Sequence, residues 1–283
     1  MPISKTVTQS FLILMAVVCV GCQSTQTPCA LCALEDVPDS AVEVMRFQDV
    51  EWTPLNPARG DKSPQAANLW GDRAENVATG FLVKFVDGFS SPPHIHNVMY
   101  RGVVIAGEAH NDDPGAADMW MPAGSFWTQP AGEVHITSAR GQTNIAYIEI
   151  DSGPYLVAPP DQSFDNGERP VNVHKDNLVW VDQPCGVAFA YLWGDPDEMR
   201  PYGLMVKLPK GYQGSFKTDD AAARVVVIRG TISLVQSDDS RLISLQPGSY
   251  TKVGPESSDD LVESDAGSVL YVRAAAPFTV LNR

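Results

Sequence analysis

The chain has 283 residues, 44% of them hydrophobic, enough for one large or two medium domains with real cores. Its 34 acidic side chains outnumber 20 basic ones, giving a formal charge of −14 with no basic run. That balance excludes a nucleic-acid binder, because phosphates would be repelled, and it selects no substrate.

Lys5 precedes an apolar run over residues 11–21 that ends at Gly21-Cys22. The run has the length of a signal peptide and is too short for a confident membrane span. It resembles a bacterial lipoprotein signal. That resemblance implies that Cys22 is lipidated and becomes the mature N-terminus, and Gln23 after it implies the outer rather than the inner membrane. Cys19 departs from the pattern, standing where Leu is usual. Ordinary secretion or an uncleaved anchor are the alternatives. Residues 23–42, rich in Gln, Thr, Ser, Pro and acidic side chains, read as a tether. Within them Cys29-Ala30-Leu31-Cys32 has no strand–helix context for a redox motif and no further ligands for zinc, so an inert or oxidised pair is expected. Cys185 lies in an apolar stretch and is expected to be buried and unreactive.

From residue 43 on, short apolar runs alternate with Gly, Pro and Asp turns. Gly80–Phe85, Gly102–Ala106, Ile145–Ile150 and Val225–Ile228 read as strands, and few stretches have helical period. An all-β sandwich or barrel follows. Residues 108–113 read as a polar hairpin loop, with His110 able to line a barrel mouth.

His94-Ile95-His96 is the most informative motif. Alternation puts both imidazoles on one face of a strand, and Tyr100 shares their parity. Pro130-Ala131-Gly132 is a turn that can bring His135 back across from the pair. Three converging imidazoles suit a first-row metal. The wider spacing resembles the two-part signature of the cupin superfamily. Gly88, His94, His96 and Gly107 match the first part, G-x5-H-x-H-x3-E-x6-G, with Tyr100 where the family has Glu. Gly124, Pro130, Gly132 and His135 match the second part, G-x5-P-x-G-x2-H, with Ala139 where an Asn usually follows. The resemblance implies a double-stranded β-helix, or jelly roll, with a metal inside.

The chain also repeats itself. Leu69-Trp70-Gly71-Asp72 returns as Leu192-Trp193-Gly194-Asp195, 123 residues later. The same offset pairs Gly80 with Gly203, Lys84 with Lys207, Gly88 with Gly211, Arg101 with Arg224 and Gly107 with Gly230. One residue further, Gly124-Ser125-Phe126 returns as Gly248-Ser249-Tyr250. Two tandem cupin domains are expected, at 43–160 and 171–283, joined by a linker at 161–170. In the second copy His94, His96 and Tyr100 become Lys217, Asp219 and Ala223, and His135 becomes Asp259. The histidines are therefore not needed to make the fold, which favours a functional site in the first copy and a structural role for the second. Arg101, Trp70 and Asp72 recur where no site exists, so structural roles are expected for them.

His94, His96 and His135 are the expected ligands of a divalent metal, iron first, with zinc, manganese, nickel or copper as alternatives. Tyr100 is the candidate catalytic residue. It could bind metal as a phenolate, stay protonated and hydrogen-bond a substrate or oxygen, or wall the barrel. Gln129 could reach the metal or a substrate, or serve the turn; Glu133 in that turn is expected to be solvated. Phe126 and Trp127 are candidate pocket walls, with core packing as their default. His174 is expected on the surface. Without the Glu, the ligand set resembles that of three-His iron cupins such as thiol and diketone-cleaving dioxygenases. That implies a metal-dependent oxygenase acting on a small organic molecule. A metal-dependent lyase or isomerase, a non-catalytic metal or ligand sensor, and a storage or carbohydrate-binding cupin are the other readings. Over residues 43–278 the chain is also similar to two-domain cupins related to ChrR-type anti-sigma factors, which implies no particular reaction. A homodimer is expected from the family.

Overall fold

The computed structural model describes residues 43–235, 242–255 and 261–283. Cys19, Cys22, the 29–32 cysteine pair, the tether and Asp259 lie outside the described residues. Among the described residues the helical segments are all short 3-10 turns, and the rest is strand and loop. No helix there is long and apolar enough to cross a membrane.

In the first half one sheet runs, in spatial order, Val171–Val173, Phe126–Gln129, Tyr100–Asp112, Ile136–Ile150, Thr79–Phe85, Gln65–Trp70 and Thr53–Pro54. A small second sheet pairs Ile95–His96 with Val157–Ala158. In the second half one sheet runs Val44–Met45, Tyr250–Val253, Ala223–Arg229, Ser268–Ala274, Tyr202–Leu208, Ala188–Trp193 and Val181–Asp182. The other runs Leu242–Leu245, Ile232–Val235, Leu261–Ser264, Tyr212–Thr218 and Phe278–Asn282. These antiparallel sheets form a β-sandwich of the jelly-roll type, as the strand pattern predicts.

Two long strands shape the first half. The segment expected to end at Ala106 continues to Asp112, and the one expected to begin at Ile145 begins at Ile136. Residues 108–112 are thus strand, not a hairpin loop. The reason is an irregularity rather than a stop: pairing shifts between Arg140 and Ala146, opposite Gly107. Gly107 has φ 72°, and a Cβ there would stand 2.1 Å from Asn144 Oδ1. The irregularity bends both strands. Their far ends then curl round the barrel, so that Tyr100 and Asn111, eleven residues apart on one strand, touch inside it.

Each half lends a strand to the other. Val44 and Met45 pair with Thr251 and Tyr250 of the second half's sheet. Val171 to Val173 pair with Thr128 to Phe126 of the first. Between the sheets lies a shared apolar cluster that includes Trp70, Leu82, Phe126, Tyr147, Met205, Tyr250 and Tyr271. Its polar contacts are reciprocal. Arg224 lies 4.2 Å over the Trp70 ring and Arg101 lies 3.6 Å over Trp193. Trp70 Nε1 donates to Tyr147 at 3.1 Å, and Trp193 Nε1 to Tyr271 at 2.9 Å. The symmetry breaks at its centre. The buried Glu149 accepts from both tyrosines and from Arg273, and Asp151 takes both Arg101 and Arg273. Asp72 caps a turn by accepting from Ala74 N.

The other two apolar clusters fill the barrels. That of the second half is built from residues such as Leu204, Phe216, Val225 and Phe278, with Ala223 at the place of Tyr100. Lys217 and Asp219 are exposed and pair with each other at 3.3 Å. Cys185 is exposed, contrary to expectation, because Pro184-Cys185-Gly186 is a turn in which Cys185 takes φ 63° rather than a strand position.

Candidate metal centre

The backbone joins the two motif halves at the imidazoles themselves. His94 and His135 form an isolated antiparallel bridge, each N–H donating to the other's carbonyl at 3.0 Å. The Pro130-Ala131-Gly132 turn closes on the same strand, with Gly132 N donating to His96 O at 2.8 Å. Gly132 has φ 78°, and the ring of Phe164, from the 161–170 segment, covers it so closely that a Cβ would stand 2.6 Å away. As a result one ring nitrogen of each of His94, His96 and His135 lies within 4.8 Å of the others. His135 and His96 are buried and His94 is partly open.

Each ring is held through Nδ1 by a backbone carbonyl. His94 Nδ1 faces Pro92 O at 2.9 Å, His96 Nδ1 faces Leu156 O at 3.0 Å, and His135 Nδ1 faces Glu133 O at 3.1 Å. A carbonyl only accepts, so each Nδ1 carries the proton and each Nε2 keeps its lone pair. This is the arrangement that orients metal-binding imidazoles. Burial keeps the rings neutral. It lowers His94, holds His96 well below the usual range with help from the neighbouring imidazoles, and lowers His135 to about 3. Three neutral Nε2 donors at this spacing fit a divalent ion bound at about 2.0–2.1 Å after small rotamer shifts. Among the described residues no carboxylate belongs to the cluster.

Tyr100 is buried beside the three histidines, its oxygen 3.4 Å from His135 Nε2. Its hydroxyl donates to Asn111 Oδ1 at 2.9 Å, and burial raises its pKa, so it is a phenol here. Asn111 is a hub. Its Oδ1 also accepts from Thr137 at 2.7 Å, and its Nδ2 donates to Gln129 Oε1 at 2.9 Å. Gln129 Nε2 in turn reaches Glu133 O at 3.4 Å, so Gln129 serves the turn. Trp127 packs edge-on to Tyr100 in the first barrel's core, and its buried indole N–H has no acceptor. Phe126, on the opposite face of the same strand, points away into the cluster between the halves.

The sequence reading missed Tyr155. Its ring stacks on His96 at 4.3 Å with 19° between planes, and its hydroxyl lies 3.1 Å from His96 Nε2. Burial and the nearby Tyr100 raise its pKa. The adjoining chain is pinned: Asn97 Nδ2 donates to Pro154 O at 3.0 Å, Leu156 N donates to Asn97 Oδ1 at 2.8 Å, and Val157 pairs with His96. Glu133 differs from expectation in having one buried, unpartnered oxygen, and burial raises its pKa. His110 is buried, with Met119 as its neighbour. His174 caps a 3-10 turn by accepting from Asp176 N.

Solved structures with the same fold include one described as a "putative dioxygenase" from Nostoc punctiforme, at 15% identity and TM-score 0.63, covering 87% of each chain. The salicylate 1,2-dioxygenase of Pseudaminobacter salicylatoxidans aligns at 12% identity and TM-score 0.56, over 85% of this chain and 88% of that one. The oxalate decarboxylase of Lactobacillus farciminis, in its formate complex, aligns at 11% identity and TM-score 0.56, with the same coverage. At these identities the likeness is one of fold, and that fold is the cupin jelly roll. No curated protein matches the chain. A family model matches residues 43–281, and the chain belongs to that family: Domain of unknown function (DUF4437).

Proposed function

We propose that this protein is a metal-dependent oxygenase that acts on a small organic molecule through His94, His96 and His135. The observation that carries the reading is the set of three Nε2 lone pairs, each fixed by a carbonyl on Nδ1, with no carboxylate among them. Iron is the first choice of ion; zinc, manganese, nickel and copper suit the same donors. Bound there, the ion supplies Lewis acidity and, if iron, oxygen chemistry. Three neutral ligands leave its charge uncompensated, which favours an anionic substrate. The chain's own residues orient the rings, keep them neutral and exclude water around them. Tyr100, held as a phenol, can donate or shield but is already committed to Asn111. We further propose, from the sequence, that the protein is exported and anchored through Cys22.

A lyase or isomerase is the second reading, favoured by two phenols beside the ligand nitrogens that can hold or give a proton. Elemental mass spectrometry of residues 23–283, purified without nickel or chelator, tests the centre. We expect near-stoichiometric metal in the parent and none in a His94→Ala/His96→Ala variant; a parent without metal after anaerobic iron loading sinks both readings. Oxygen uptake with candidate substrates then separates them, since only the oxygenase consumes oxygen.

A further inference from the structure

Tyr155 and Tyr100 both bring a hydroxyl to the ligand nitrogens, but their hydrogen bonding is unequal. Tyr100 has an acceptor of its own in Asn111 Oδ1, so it stays satisfied whatever happens at His135 Nε2. The Tyr155 hydroxyl makes one hydrogen bond among the described residues, to His96 Nε2. That is the lone pair a metal takes. Once it is taken, the half-buried Tyr155 is left with a donor that no acceptor among the described residues satisfies. The ring cannot readily carry the hydroxyl elsewhere. It is stacked on His96, set edge-on to Phe81 at 5.2 Å and to Tyr100 at 5.8 Å, and its backbone N–H is tied to Arg73 O.

We infer that Tyr155 is the residue that positions a ligand on the open side of the metal: its O–H donates to an anionic oxygen or nitrogen held there. This rests on the metal-centre reading above and adds the group that selects the ligand. The parallel rings support it. Stacking holds the phenol oxygen 3.1 Å from His96 Nε2, the atom that would carry the ion. A hydrogen bond to a group bound next to the ion suits that placement. The favoured occupant is a small anion or the deprotonated head of a substrate, such as a carboxylate, enolate or phenolate. One side of it would meet the ion and the other the phenol.

Azide tests the inference without turnover. The parent and Tyr155→Phe are loaded with Co(II), their metal content is measured, and azide is titrated while the visible cobalt bands are followed. Phenylalanine keeps the ring and its stacking, and circular dichroism checks the fold. We expect equal metal content and an azide Kd at least tenfold weaker in Tyr155→Phe. Equal metal with azide affinity unchanged within twofold overturns the inference and leaves the centre standing. So does a metal-loaded parent that binds no azide. Loss of metal in Tyr155→Phe alone also overturns it, because the residue then acts by holding His96. A parent that takes up no metal fails the centre itself, and this inference with it.

Discussion

Asn111 shows how the site depends on a residue that touches none of the ligands. It satisfies the hydroxyls of Tyr100 and Thr137 and the amide of Gln129, and through Gln129 it braces the turn that carries His135. Asn111→Ala leaves two buried groups, on Tyr100 and Gln129, and the half-buried Thr137 hydroxyl short of a partner. At roughly 1–3 kcal/mol for each unsatisfied group, with partial relief by water, we expect a loss of about 2–4 kcal/mol in urea unfolding. The imidazoles make a second prediction. Burial holds all three below 6.5, and His135 as low as about 3, so between those values the metal-free fold binds fewer protons than the unfolded chain. Stability is therefore complete above about 6.5 and is lost as pH falls toward 3. A His96→Gln variant in the metal-free state should show a shallower loss between pH 7 and 4 than the parent. An identical slope would mean that His96 is not held neutral. The clustering of His94, His96 and His135 was legible in the sequence because a strand, a turn and a second strand fix their spacing locally. Asn111 and Tyr155 were not. One is placed by the curl of a long strand and the other by pairing between residues 96 and 157, and neither leaves a short spacing to read.

At the scale of the element, glycine decides where strands approach. A Cβ on Gly80 would stand 2.0 Å from Trp70 Nε1, and one on Gly203 1.9 Å from Trp193 Nε1. Each glycine lets an indole lie flat across its own strand and reach a tyrosine. We expect Gly80→Ala and Gly203→Ala each to cost about 1–3 kcal/mol through overpacking, measured by urea midpoint, and the double variant to depart from the sum, because the two indoles reach tyrosines that share Glu149. Central strands such as Thr79–Phe85 and Ala223–Arg229 were readable from their apolar runs. The two longest were read short because their far ends, beyond Gly107 and around Gly141, are polar. The two glycines mark a bend inside a continuing ladder, which pairing alone can maintain.

At the scale of the whole molecule, the internal repeat announced two halves, and its matched tryptophans and arginines lie at their contact. Trp70, Arg101, Trp193 and Arg224 meet across it. That use was hidden in the sequence, since a repeat reports likeness and not adjacency. The lent strands at 44–45 and 171–173 predict that cutting the chain will not separate it. With a protease site placed at residues 165–168 and cleaved, the two pieces should elute together on size exclusion until denaturant is added. Separate elution in native buffer would contradict the strand exchange. The reciprocal contacts have a further meaning. Residue i of one copy meeting residue j of the other, while j meets i, is the signature of an isologous dimer. This chain has the plan of such a dimer closed into one polypeptide. Once two partners share a backbone they need no longer be identical, so one half can gather three imidazoles while the other, with Lys217, Asp219 and Ala223 at the places of His94, His96 and Tyr100, packs against it.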